Sequence, residues 1–219
     1  MKELAILIPA LRRPQNVQPL VQSIRATTKV DYEIVFVLSP GDEAERKAVE
    51  ESNSTFYVMD ANYEGKGDYA RKINFGYSMS DAEWYFTGAD DLRFHPWWFE
   101  NAMRIGTCVI GTNDLGNPRV KAGMHSTHSL VNKQYIVEQG TIDEPNKILH
   151  EGYPHEYVDD EFVETAKRRG CWGMALASHV EHLHPFWGKA QTDDLYEASG
   201  QWRLRASRLL YARRRHLWM

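Results

Sequence analysis

Apolar runs alternate with segments of helical spacing along the first half of the chain. Leu4-Ala5-Ile6-Leu7-Ile8 is unbroken and ends at Pro9, the pattern of a strand covered on both faces. Val17, Leu20, Val21 and Ile24 then form one stripe, predicting a helix from near Asn16 with Pro19 in its first turn. Tyr32 to Leu38 reads as a second buried strand, closed by Ser39-Pro40-Gly41-Asp42, and Asp42 is placed to cap the next helix. A strand at Thr55 to Met59, a helix from Asp68 to Met79 and a strand at Glu83 to Thr87 continue the alternation. Pro96 then suits the first turn of a helix that presents Trp98, Ala102 and Ile105 on one face and stops at Gly106.

The second half is less regular. Strand character falls at Cys108 to Gly111, Met124 to Val131 and Trp172 to Val180, with helices near Asp159 to Arg169 and from Ser199 to His216. The last of these has an apolar face of Trp202, Ala206, Leu209 and Leu210. The whole predicts an α/β fold: a mixed sheet, mainly parallel in its N-terminal half, with antiparallel additions and flanking helices.

A length of 219 residues, 42% hydrophobic and 26% charged, fits one core. No apolar stretch approaches the roughly 18 residues of a membrane span. The run from Leu4 to Leu11 contains Pro9 and lacks a cleavage site, so it reads as a strand rather than a signal, and a cytoplasmic protein, bacterial or from a phage-infected cell, is expected. Cys108 and Cys171 are read as reduced core residues. The net charge of −4 hides an asymmetry: from Ser199 onward there are six arginines and no acid, so the first 198 residues hold the other 20 basic groups against 30 acidic ones. This divides the chain into a single catalytic domain at 1–198 and a basic helix or tail at 199–219.

Four constellations offer chemistry. Asp90-Asp91 follows an aromatic strand, at the carboxyl end where open α/β sheets bind ligands, and hard oxygens there suit Mg²⁺ or Mn²⁺. His182 and His184 are candidate imidazole ligands, without the helical spacing of zinc proteases. Asp159, Asp160 and Glu161 open a helix, where they complement its dipole, and one of them could instead serve as a proton acceptor. In the stretch Asn62 to Asn74, glycines precede a helix, and Lys66 and Arg71 could neutralise a diphosphate. Neither a P-loop nor a Gly-x-Gly-x-x-Gly fingerprint is present. Trp98 or Trp97, and Trp172, are read as core material, and Trp187 as an acceptor contact. His125 and His128 lie between the two acidic motifs, in a region suited to an acceptor pocket or simply to surface imidazoles.

Together these elements resemble the GT-A-type nucleotide-sugar glycosyltransferases, the inverting family-two-like group, over residues 3 to 195. Ile8-Pro9-Ala10-Leu11-Arg12-Arg13 resembles the first-strand loop, and Val37 to Asp42 the second-strand segment near the base, with Ser39 where the family often has an acid. Asn62 to Gly65 and Ala70 to Asn74 resemble the Asn-x-x-Gly and Ala-Arg-x-x-Asn region. Thr87-Gly88-Ala89-Asp90-Asp91 resembles the Asp-x-Asp region, with Gly88 in place of its first acid. The resemblance implies a nucleotide-sugar site at Pro9, Ala10, Arg12, Ser39, Asn62, Lys66, Arg71 and Asp90. It implies a metal site at Asp90 and Asp91 with His182 or His184, His184 preferred, and an acceptor side at Trp187 and His128. Asp160 becomes the general base, Mn²⁺ or Mg²⁺ the cofactor and a uridine diphosphate sugar the first donor. The acceptor is a hydroxyl, on a small molecule or on a protein or nucleic acid docked by the basic tail. A nucleotidyltransferase and a non-catalytic nucleic-acid-binding protein are the alternatives.

Overall fold

The computed structural model describes residues 1–193 and 201–218, so the expected boundary between 198 and 199 lies outside the described residues. Eight strands form one mixed sheet in the order β3-β2-β1-β4-β7-β6-β8-β5. β1 (Lys2–Pro9) lies parallel between β2 (Tyr32–Leu38) and β4 (Ala82–Thr87), and β3 (Thr55–Val58) extends this parallel half beyond β2. β7 (Ser129–Asn132) runs antiparallel between β4 and β6 (Val109–Asn113). β6 pairs in parallel with β8 (Trp172–His182), and β5 (Leu92–Phe94) closes the edge antiparallel to β8.

The continuous apolar strands fill both faces. Leu4, Ile6 and Ile8 pack with Val17, Leu20 and Ile24 of α1 (Pro14–Thr27) and with Trp98 of α4 (Trp98–Met103). Ala5 and Leu7 face the other layer, with Ala70 and Ile73 of α3 (Asp68–Ser78) and Val163 and Ala166 of α7 (Val158–Arg168). α2 (Glu43–Glu51) is capped by the Asp42 carboxylate as its sequence predicts, while α5 (Pro118–Lys121) and α6 (Lys133–Glu138) are short pieces beside the second half of the sheet. Cys108 and Cys171 are free thiols, half-buried against the second layer. No helix among the described residues is long and apolar enough to cross a membrane.

Several details differ from the sequence expectation: the strand expected at Met124 to Val131 begins only at Ser129, and Pro96 lies before α4 rather than in its first turn. α1 begins at Pro14 rather than near Asn16, so Pro19 lies beyond the first turn; it is exposed, which leaves the carbonyl it cannot pair open to water. Ile105 lies beyond the end of α4 and is exposed. Of the apolar face expected on the final helix, α8 (Gln201–Arg214), Leu210 packs beside Tyr211 against the second core layer, while Trp202 and Leu209 face outward and polar groups supply much of the docking. Arg203 pairs with Glu156 at 3.0 Å, Arg214 with Glu161 at 2.7 Å and with Asp143 at 2.8 Å, and a 3-10 turn (Arg215–Trp218) buries Trp218, whose indole donates to Thr165. Acids on the body thus select the basic side of this helix together with the contacts of Leu210 and Tyr211.

Candidate active site

A cleft of about 810 Å³ opens at the carboxyl ends of β1 and β4. Pro9 and Ala10 at the end of β1, Asp90 and Asp91 after β4, His182 at the end of β8, and Asp160 in the first turn of α7 all line it. Tyr157, at the head of α7, adopts φ 67°, a left-handed conformation uncommon for a residue with a side chain, and this turns the helix start into the cleft wall. Beneath the first loop Lys72 is fully buried; its ammonium donates to the Ala10 carbonyl at 2.8 Å and pairs with Asp68 at 2.8 Å, which fixes the loop from below.

Asp90 and Asp91 are both buried. Burial, reinforced by the charge of Asp91, pushes the Asp90 carboxyl up to about 7, against the pull of Arg13. Arg13 Nη1 lies 3.2 Å from Asp90 and 3.5 Å from Asp91. Burial lowers the affinity of His182 for its proton, but Asp91, whose oxygen is 3.3 Å from Nε2, outweighs this and raises it. The His182 ring is flanked by those of His128 at 5.2 Å and His184 at 5.0 Å. His128 Nδ1 lies 2.7 Å from the Thr87 carbonyl, which can only accept, so Nδ1 carries the proton and Nε2 the lone pair. Burial, then the neighbouring His182, pushes His128 down to about 4, and its buried Nε2 has no hydrogen-bond partner among the described residues. Burial and His182 lower His184 to about 4 as well, and its Nδ1 accepts from the Phe186 amide.

Two carboxylates beside imidazole nitrogens suit a hard divalent cation, and the orphaned His128 Nε2 and His182 Nδ1 show polar capacity at this point that the protein does not itself use. This donor chemistry suits Mg²⁺ or Mn²⁺, which Asp90 and Asp91 with His182 or His184 would hold. Gly88 explains the missing first acid of the motif. A Cβ there would lie 2.6 Å from Ile8 and 2.7 Å from the Leu7 carbonyl, so the backbone of β1 excludes any side chain.

A second group lies on α7. His125, Asp159 and Asp160 each offer a ligand-type atom within 4.8 Å of the others. His125, buried, contacts Asp159 at 3.0 Å, and although burial works against ionisation this contact holds the Asp159 carboxyl below its ordinary value. Asp160 moves the other way, raised by burial and by the charge of Asp159, while Arg119 donates to it at 2.7 Å. The pair thus contains one firmly ionised carboxylate and one with greater proton affinity.

Pro9, Ala10, Asp90, Asp91, His128, Asp160, His182, His184 and Trp187 are brought together in the cleft. Five other sequence candidates lie outside its lining. Arg12, in a left-handed conformation, pairs with Glu64 at 2.6 Å; Asn62 accepts from the Glu64 amide, shaping that loop; Ser39 is buried. Lys66 is exposed, and Arg71 pairs with Glu151 at 3.0 Å and covers the Tyr63 ring. Arg13, Asp68 and Arg203 line the cleft without having been singled out by the sequence. For Arg13 no signal was available, because Arg12 beside it is the same residue type.

No protein-family model matches the chain, and no curated protein does. Solved structures match. Glucosyl-3-phosphoglycerate synthase from Mycobacterium tuberculosis, in complex with Mn²⁺, UDP-glucose and phosphoglyceric acid, superposes with a TM-score of 0.65 at 12% identity, covering 97% of this chain and 79% of that one. S. aureus TarS 1-349 gives a TM-score of 0.61 at 13% identity, covering 81% of this chain. This chain spans 59% of that structure and 36% of a longer TarS chain. With these neighbours and the eight-stranded mixed sheet flanked by helices, the chain has the GT-A-like fold.

Proposed function

We propose that the chain is a divalent-metal-dependent glycosyltransferase that moves a sugar from a nucleoside diphosphate sugar, a uridine diphosphate sugar first, to an acceptor hydroxyl with inversion. The observation that carries this is the meeting, in one cleft at the carboxyl ends of the parallel strands, of a metal-type donor set and a separate carboxylate of raised proton affinity. The M. tuberculosis neighbour, with Mn²⁺ and UDP-glucose in its structure, supports the donor class. A bound divalent ion would stabilise the charge gathering on the departing diphosphate. Asp160 accepts the proton of the acceptor hydroxyl as its oxygen bonds to the anomeric carbon and the bond to the diphosphate oxygen breaks, the diphosphate leaving with the electron pair. One such displacement inverts the centre. His125 and Asp159 hold the helix turn that carries Asp160, and Trp187 and His128 form the acceptor side.

The deciding experiment is a donor screen that measures nucleoside diphosphate release with and without Mn²⁺, alongside thermal shifts with nucleoside triphosphates. Release from a uridine diphosphate sugar that depends on Mn²⁺ is expected. Stabilisation by triphosphates alone would instead indicate a nucleotidyltransferase.

The acceptor in this reading is a macromolecule, protein or nucleic acid, docked along α8. Arg203 and Leu204 line the cleft, while Arg205, Arg208 and Arg213 are exposed and form no ion pair among the described residues, giving a basic ridge that leads away from the cleft. Changing these three arginines to alanine should raise the KM for such an acceptor and flatten its salt dependence by about one unit of log-log slope per arginine, if the acceptor is a nucleic acid. Nucleoside diphosphate affinity should not change, and an unaltered acceptor KM would remove α8 from recognition.

A further inference from the structure

Arg13 carries a positive charge into the place where the metal reading puts another. Its side chain is only 11% exposed, and among the described residues its guanidinium meets the carboxylates of Asp90 at 3.2 Å, Asp91 at 3.5 Å and Asp193 at 2.7 Å. The Asp193 contact is bidentate, with Nε donating to Oδ2 and Nη2 to Oδ1 at 3.2 Å, the fork geometry that a guanidinium also uses on phosphate. The backbone amide of Arg13 donates to buried Glu45 at 2.6 Å, so the base of the side chain is fixed while its head group rests on acids.

A divalent ion and a guanidinium cannot both sit against the same two carboxylates without strong repulsion. Each, however, has an alternative partner once a diphosphate is present, because phosphate oxygens coordinate the ion and accept from the fork. We propose that Arg13 is an internal counter-cation: it neutralises Asp90 and Asp91 in the metal-free enzyme and moves to the donor diphosphate as the divalent ion takes its place. Asp193 is the competitor that diphosphate must displace from the fork. This rests on the glycosyltransferase reading and adds a consequence to it, that metal and diphosphate load cooperatively and that Arg13 strengthens their coupling beyond direct contact of the two. Arg13 is thus both a diphosphate contact and a brake on metal binding, and its removal should change the two affinities in opposite directions.

Calorimetric titration of the full chain with Mn²⁺, with UDP and with each in the presence of the other tests this without any turnover measurement. In the wild type, UDP should tighten Mn²⁺ binding by about fivefold or more, and Mn²⁺ should tighten UDP binding by the same factor. In Arg13→Ala, Mn²⁺ alone should bind more tightly than to the wild type and UDP more weakly, with a coupling factor smaller than in the wild type; Arg13→Lys, which keeps the charge but not the fork, should lie between. Asp193→Asn should tighten UDP binding while leaving the fold intact, and it carries the test should Arg13→Ala lose its native thermal transition. A wild type that couples the two ligands while Arg13→Ala binds Mn²⁺ no more tightly overturns the role of Arg13 alone. Unchanged UDP affinity in Asp193→Asn likewise overturns the competition. A wild type that binds neither ligand overturns the glycosyltransferase reading and this proposal with it.

Discussion

Asp160→Asn should bind donor almost as the wild type does and turn over about 10² to 10⁴ times more slowly, the contribution of a positioned general base. The substitution keeps the shape and one acceptor oxygen, so the Arg119 contact at 2.7 Å has a partner still, and it removes only the capacity to take a proton. Two neighbouring variants sharpen the assignment. Asp159→Asn should disturb the His125 contact rather than remove the proton acceptor, costing less turnover. Arg119→Ala should raise the proton affinity of Asp160, since the guanidinium is among the groups that hold it down. The acid limb of the turnover profile reports the same group. Burial and Asp159 raise the Asp160 carboxyl above the ordinary value of about 3.9, so activity needing its ionised form should fall as pH drops through a point above that value, and Arg119→Ala should move the point upward. Near-normal turnover in Asp160→Asn would remove it as the base.

How much of this was legible in the sequence depended on which physical signal each part carried. The cores of β1 and β2 are buried on both faces, so their apolar runs were continuous; Tyr32 to Leu38 matches its strand end to end, while β1 also takes in the exposed Lys2 and Glu3 before Leu4. β5 has three residues, Leu92-Arg93-Phe94, too few for any period, and α5 and α6, of four and six residues, are too short for a helical stripe. Asp90, Asp91, Asp160 and His182 could be picked out because carboxylates and imidazoles stood at the predicted ends of strands and helices, where the topology turns them toward one cleft. The basic residues of the phosphate-type loop were harder. Arg12, at φ 51°, turns to the exposed Glu64, which leaves Arg13 to enter the cleft, and that choice belongs to a backbone conformation that residue type does not reveal. Lys66 and Arg71 resembled diphosphate partners, but Arg71 is engaged by Glu151, eighty positions away in the chain. The orientation of α8 was legible only in part: of its apolar residues Leu210 packs on the second core layer while Trp202 and Leu209 do not, and the acids that complete the docking lie on segments with no sequence mark linking them to it.

Arg214→Met should cost about 3 kcal/mol of stability, or roughly 6 to 12 °C in Tm for a chain of this size. Arg214 has a side chain 12% exposed and joins α8 to two acids, Glu161, whose carboxylate is 3% exposed, and Asp143. Removing the guanidinium leaves Glu161 buried, with the Tyr153 hydroxyl at 2.6 Å as its donor and no countercharge in this pair. The loss comes chiefly from that stranded charge, so adding Glu161→Gln should restore much of it: the amide oxygen can still accept from Tyr153, and a neutral buried group is cheaper to keep out of water. A simple loss of helix packing predicts no such rescue, because the double variant lacks the same contacts, and equal Tm values for Arg214→Met with and without Glu161→Gln would therefore refute the stranded-charge account. The pH dependence separates the second arm of the network. Hydrogen bonding to Arg214, against the opposing effect of burial, holds the Asp143 carboxyl below its ordinary value, so the stability it contributes is complete above the unfolded value of about 3.9 and is lost as pH falls through the lower folded one. The Tm difference between wild type and Arg214→Met should accordingly narrow below about pH 4. Because Arg203 and Leu204 at the other end of α8 line the cleft, undocking the helix should also weaken the acceptor side, with KM for acceptor rising at temperatures where the body of the chain remains folded.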